Sequence, residues 1–410
     1  MLCQKLMRLS VVVWAALLLT PIAGAEEPTK NSPLATQGPK PEAIVPPSAA
    51  QVQSAIDRGV DFLLADQRPD GAWGSAENTK GLNIFAPVPG SHYAFQAAVS
   101  ALALSALVNA EPTLTDERAE RADAAIEKGQ TWLLEHLDRV RRATPDALYN
   151  VWGHSYSLQG LADLRRRAEG KPELQATLLG AMQTQADMLA RYEFVAGGWS
   201  YYDFDYGTQK PGDAPFSFTT ATALVALKDA MGQGVEFPQK MIDRAIASIK
   251  RQRYPDFSYA YGEYLKMAPR YDINRPAGSL GRSQACNLAL RRWGDPRVTD
   301  AVIETWLNRL FARNGWLGMG RKRPVPHESH FAVAGYFYYY GHYYAALSIE
   351  ELPEQDRPYF QDHLANILLP LQEKDGSWWD YPFYNYHQQY GTAMAVTSLV
   401  KCQRNTPKPQ

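Results

Sequence analysis

The sequence predicts an all-α protein, an (α/α)6 toroid in which six helical hairpins close into two concentric rings. Three observations predict it. Six amphipathic segments alternate with segments that are small and apolar on nearly every side. A loop rich in glycine and aromatic residues follows each amphipathic segment. The pairs recur as in a helical array, yet neither end carries the polar capping repeat that an open solenoid needs.

The chain begins with a segment that reads as a signal peptide over 1–25. Lys5 and Arg8 precede an apolar run, Leu9 to Leu19, too short to span a bilayer, and Ala23-Gly24-Ala25 fits a small-residue cleavage site. Cys3 lies ahead of the run, which does not support a lipid anchor. The expected location is therefore secreted or periplasmic. Residues 26–50, rich in Pro, Ser, Thr and charge, read as a disordered linker. Residues 51–403 read as one toroid domain and 404–410 as a disordered tail. No later apolar run approaches membrane-spanning length, so no stable membrane span is expected.

The amphipathic stripes place the outer layer. Val52, Ala55, Ile56, Val60 and Leu63 share the first helical face, and Ala122, Ile126, Gly129 and Leu133 the second. Leu174, Leu178, Ala181, Met182 and Leu189 form the third, and Met241, Ile242, Ala245, Ile246 and Ile249 the fourth. Val298, Val302, Thr305 and Leu310 form the fifth, and Phe360, Leu364, Ile367, Leu368 and Leu371 the sixth. The loops contain Asp70-Gly71-Ala72-Trp73, Trp152-Gly153, Gly197-Gly198-Trp199, Asp256-Phe257-Ser258-Tyr259, Gly315-Trp316 and Asp375-Gly376-Ser377-Trp378. Ala94 to Ala110, Phe218 to Met231 and Thr392 to Cys402 then read as buried inner helices. Physically, the glycine lets the chain turn with positive φ, the Trp plugs the gap between hairpins, and a following Ser or Thr caps the inner helix.

Composition narrows the function. The 42 Lys and Arg balance 43 Asp and Glu without a basic block, so no nucleic-acid partner is expected. Cys286 and Cys402 could pair in an exported chain, but a body this size builds its core without staples, which favours two buried thiols. The 23 Tyr and 10 Trp suit a lined cavity as well as a core.

Gln372-Glu373-Lys374-Asp375-Gly376-Ser377-Trp378 followed by Tyr390-Gly391-Thr392-Ala393 resembles the Gln-Trp repeat of squalene and oxidosqualene cyclases. Gly197-Gly198-Trp199 with Thr219 to Leu224, and Gln67 to Trp73, resemble further copies. The resemblance, to the α/α-toroids of squalene cyclases and protein prenyltransferases, covers 51–403 at the level of repeats. It implies the fold and not the chemistry. The cyclases' acidic Asp-x-Asp-Asp-Thr-Ala motif falls here on Phe216 to Ala221, where Phe216, Phe218 and Thr219 replace the acids and remove the proton donor. Tyr386-His387-Gln388-Gln389-Tyr390 is similar to the prenyltransferase zinc segment, but Gly315 to Gly320 lacks its Asp-x-Cys partner. No metal or other cofactor is expected.

Parallel inner helices would bring their starts to one cavity mouth. Trp152-Gly153-His154, Tyr340-Gly341-His342 and Tyr390-Gly391-Thr392 occupy one repeat position, with His92 and His387 close to two such starts. The expectation is that His92, His154, His342 and His387 gather there beside Trp152, Tyr340 and Tyr390, suited to proton transfer, anion binding or metal ligation; packing against backbone carbonyls is the plainer role. The catalytic candidates are His154, His342, His387, Asp203 and Asp205. Those for ligand binding are His92, Trp152, Tyr340, Tyr390 and His330. His327-Glu328-Ser329-His330 spaces its imidazoles by three beside Pro324 and Pro326, a loop rather than a zincin helix.

The expected function is binding of an apolar or isoprenoid-like ligand in a His/Tyr/Trp-lined cavity, walled in part by the tyrosines between Tyr336 and Tyr344. The alternatives are an enzyme acting on a polysaccharide, lyase or glycosidase-like, or a divergent terpene-type cyclase. A glycosidase needs two opposed carboxylates, and Glu263, Asp272, Asp203 and Asp380 lie near aromatic loops. The sequence leaves open whether the protein is catalytic.

Overall fold

Helices with one apolar stripe and helices apolar on every face alternate along the chain, and this alternation sets the architecture. A computed structural model describes residues 30–81, 89–212 and 214–403. Among these it is all-helical, with thirteen α-helices and no strand. Two compact units, Met1–Asn31 and Ser32–Gln410, divide the chain, and every described helix belongs to the second. The signal peptide expected over 1–25 and the tail over 404–410 lie outside the described residues.

In chain order the helices are α1 (Ala49–Asp66), α2 (Pro89–Ala110), α3 (Asp116–His136), α4 (Asn150–Arg167), α5 (Pro172–Tyr192), α6 (Ser217–Gly232), α7 (Gln239–Gln252), α8 (Leu280–Arg292), α9 (Asp300–Ala312), α10 (Asn314–Gly318), α11 (Phe337–Glu350), α12 (Arg357–Leu368) and α13 (His387–Lys401). The six expected amphipathic segments are α1, α3, α5, α7, α9 and α12. Each buries one stripe, as α7 does through Met241, Ile242, Ala245 and Ile249. Ser48 starts α1 with a capping box, its hydroxyl accepting from the Gln51 N–H while Gln51 accepts from the Ser48 N–H.

The other long helices are buried almost throughout; α6 hides every side chain from Ser217 to Leu227. Each packs on the next: α2 on α4, α4 on α6, α6 on α8, α8 on α11, α11 on α13, and α13 on α2. Glycines permit the close approaches. A Cβ at Gly153 would lie 3.1 Å from the Ala94 carbonyl, and one at Gly160 2.8 Å from that of Ala101. The constant offset of these two pairings makes α2 and α4 parallel. Against expectation, one described helical stretch, Gly90–Thr113, is long and apolar enough to cross a membrane. It is largely buried between α4 and α13.

Three loops repeat one bonding scheme. The indole N–H of Trp73 donates to the Leu63 carbonyl (2.7 Å), that of Trp199 to Leu189 (2.8 Å) and that of Trp378 to Leu368 (2.9 Å). Their backbone N–H groups donate to Ser100 Oγ, Thr220 Oγ1 and Thr392 Oγ1 at 2.9–3.0 Å. All three rings are fully buried; removing an indole's roughly 200 Å² from water contributes about 5 kcal/mol before entropy is charged. Gly71, Gly197 and Gly376 have positive φ, and a Cβ there would strike the backbone carbonyls of Lys128, Arg244 and Arg58 on the neighbouring stripe helix. Gln67 and Gln372 then bridge loop and helix, donating to the carbonyls of Gly71 and Ala125 and of Gly376 and Ala55. Glu193 takes the equivalent place in the third loop and pairs with Arg244 and Lys210.

Four expectations are corrected. Trp152 and Gly153 lie inside α4, so they are not loop residues. Trp316 sits on the short α10 and is 40% exposed, so it plugs nothing. The Ser and Thr hydroxyls lie inside the buried helices, where they accept from the Trp backbone instead of capping a terminus. Within the expected linker, the short turn Pro33–Thr36 is seated on the body: Ala35 is fully buried, and Arg309 donates to the Leu34 carbonyl (2.8 Å) and the Gln37 carbonyl (2.5 Å). Cys286 and Cys402 are free, buried thiols, as expected, and burial pushes Cys286 up to about 12.

Candidate functional site

A cavity of about 210 Å³ opens among the buried helices. That exceeds a void able to hold benzene, about 150 Å³. Helix α2 contributes Phe95, Ala98, Val99 and Leu102. Helix α4 and its cap contribute Tyr149, Trp152 and Tyr156. Tyr201 and Phe218 come from the loop before α6 and from its first turn. Tyr336, Phe337 and Tyr340 come from the start of α11, and Tyr390 and Met394 from α13. Loop residues His327, Tyr381 and Phe383 complete the lining. The rings brace one another: Phe95 meets Phe383 edge-on at 4.7 Å, Phe218 meets Phe337 at 5.0 Å, and Trp152 stacks on Phe218 at 6.1 Å.

Most wall hydroxyls are bonded to protein groups. Tyr149 and Tyr202 share a bond of 2.5 Å, and Tyr201 bonds Tyr261. Tyr340 donates to the Phe218 carbonyl at 3.1 Å. His327 donates from Nδ1 to the Ala332 carbonyl (2.7 Å), which leaves Nε2 to accept from the Tyr336 hydroxyl (3.1 Å). Burial lowers the pKa of this imidazole and keeps it neutral. Tyr390 donates to Asp380 Oδ1, while Asp380 Oδ2 accepts the Tyr339 N–H at 2.9 Å. Asp380 is wholly buried, and burial raises it to about 7 even though these two donors oppose the shift.

Of the expected site residues, the structure brings Trp152, Tyr340 and Tyr390 to the cavity. It gives the four histidines separate surroundings. His154 bonds Gln185 of α5 through Nδ1 (2.7 Å), with Nε2 3.3 Å from the Asn150 amide nitrogen. His342 bonds the Tyr338 carbonyl (2.7 Å) and leans on that ring at 4.5 Å. His387 bonds the Tyr384 carbonyl (2.6 Å) beside Trp379. Burial lowers all three to about 4. Half-buried His92 lies 3.1 Å from the Tyr386 hydroxyl. None of the four lines the cavity, and no described group of three His, Cys, Asp or Glu side chains is placed to hold a metal.

The remaining candidates lie elsewhere. Asp203 is buried and paired with Arg142 at 2.8 Å, which makes it a loop staple. Asp205 is exposed in a turn, its carbonyl accepting from Thr208. His330 is exposed against Phe331. Not singled out for the site were Phe95, Tyr149, Tyr201 and Tyr381; His327 was considered only with His330 as a metal-ligand spacing. One signal was available: Tyr149 precedes Trp152 by three residues and Tyr156 follows it by four, which is one face of a helix. The loop residues carry no such periodicity.

No protein-family model matches the chain, and no curated protein is significantly similar to it.

Proposed function

We propose that the protein is an exported (α/α)6 toroid, related to the squalene cyclase and prenyltransferase toroids but without their acidic motif, that binds an apolar, isoprenoid-like molecule in its aromatic cavity. Six buried helices that pack in cyclic order support the toroid, as do charged contacts joining residues at their C-terminal ends. Ser105 donates to Asp163, Arg292 pairs with Asp229 and Glu351, and Lys401 pairs with Glu350. Lys5, Arg8 and the apolar run behind them support export.

The observation that carries the ligand class is a broad aromatic wall most of whose hydroxyls are already bonded to protein groups. Such a wall offers contact area and few hydrogen bonds, which suits a hydrocarbon better than a sugar. No carboxylate stands among the described lining residues, so the pair that a glycosidase needs is not supported. The test is a thermal melt of the purified protein with a branched isoprenoid alcohol or a neutral oligosaccharide. The isoprenoid should raise the melting temperature and the oligosaccharide should not; the reverse pattern would refute the reading.

One observation favours a second reading, a divergent terpene-type cyclase. Burial raises the Asp380 carboxyl to about 7, and it accepts from a tyrosine that faces the cavity. Rearranged products from a polyprenyl substrate, lost in Asp380→Asn, would establish it.

A further inference from the structure

We infer that Tyr381 is the polar anchor of the cavity and donates a hydrogen bond to an oxygen carried by an otherwise apolar ligand. The inference rests on the apolar-ligand reading and adds one functional group to the ligand.

Of the seven tyrosines that line the cavity, Tyr149, Tyr201, Tyr336, Tyr340 and Tyr390 have hydroxyls bonded to protein groups, and the Tyr156 hydroxyl lies beside that of Tyr344. Tyr381 lines the same cavity and is 2% exposed, yet its hydroxyl has no hydrogen-bond partner among the described residues. The ring packs edge-on to Tyr336 at 5.4 Å and tilted on Phe383 at 6.2 Å. Burial holds the phenol at about 12, so the group is a donor at any physiological pH. A buried hydroxyl without a partner is costly, and phenylalanine would fill the same space without that cost. A ligand oxygen resolves the discrepancy.

The position also orients the ligand. Tyr381 lies in the loop before α13, as Phe383 does, whereas Leu102 and Met394 line the cavity from farther along α2 and α13. An oxygenated end at Tyr381 leaves the hydrocarbon to run between these helices. The chemical class is an isoprenoid-like chain or ring system with one alcohol or carbonyl oxygen.

The experiment compares farnesol with the hydrocarbon that differs from it only in lacking the hydroxyl, each titrated into the full-length protein and into Tyr381→Phe. The readout is the alcohol-to-hydrocarbon affinity ratio in one protein relative to the other, which cancels the difference in water solubility. Tyr381→Phe should lower that ratio about tenfold, with the unliganded variant melting no lower than the parent. An unchanged ratio overturns the anchor while leaving the apolar site intact. A variant that melts lower also overturns it, because the hydroxyl would then have a structural partner. Failure of both ligands to bind the parent protein removes the apolar-ligand reading and the anchor with it.

Discussion

The indole of Trp378 lies against Gly59: a Cβ built on that glycine would sit 2.9 Å from the ring and 2.5 Å from Val396. A residue of the last repeat thus packs on the first long helix. Trp73 stands in the same relation to Gly129, where a Cβ would approach to 2.7 Å. The loops beside the first and last Trp also meet directly, Ser75 pairing with Asn385.

Gly59→Val should therefore destabilise the protein by about 1–3 kcal/mol or more through overpacking. Gly180→Ala is the matched control. That glycine is exposed within α5 and has nothing within 4 Å of its would-be Cβ, so alanine should stabilise by about 0.5–1 kcal/mol. Urea unfolding of both variants checks the pair; equal stability would mean that Gly59 is not a contact point.

Thr392→Val keeps the shape and removes the acceptor of the Trp378 N–H, leaving a buried donor unmatched. The expected loss is about 1–3 kcal/mol. Thr220→Val should behave alike at Trp199. A neutral result at both positions would show that the backbone bond adds little beyond indole packing.

His154, His342 and His387 are held near 4 in the folded state, against an ordinary 6.5. Each takes up its proton on unfolding, so the stability they contribute is complete above 6.5 and is lost as pH falls toward 4. The slope is about 1.4 kcal/mol per pH unit for each imidazole. Melting temperatures measured from pH 7.5 to 4.5 should fall, and His342→Phe should flatten the fall.

Asp380 works in the opposite direction. Its folded value is raised from 3.8 to about 7, so its contribution is complete below 3.8 and is lost as pH climbs to about 7. Relative to the parent protein, Asp380→Asn should gain stability across that interval. A difference that stays flat with pH would place the carboxyl in a more polar setting than its burial indicates.

The stripe helices were legible because their apolar spacing survives any packing. The Gln–Trp loops were legible because glycine, Trp and Gln keep a fixed spacing around one turn. The cavity was legible only in part. Position along a helix follows from sequence, whereas the face a residue presents depends on its neighbours. Trp152 and His154 are two residues apart, as are Tyr340 and His342, which places them on roughly opposite sides of a helix. With Trp152 and Tyr340 facing the cavity, the two histidines turn away from it, and this geometry defeats the expected histidine cluster. Tyr381, His327 and Asp380 stand on loops, whose course no periodicity reveals.

The central claim is that the cavity holds an apolar ligand, and Ala98→Phe tests it most directly. Ala98 lines the wall from α2 and is 5% exposed, so a phenyl ring there occupies the ligand's space. Calorimetric titration with farnesol should show one site in the parent protein and at least about tenfold weaker binding in the variant, with melting temperatures within a few degrees. Equal affinity in the two proteins would contradict the account.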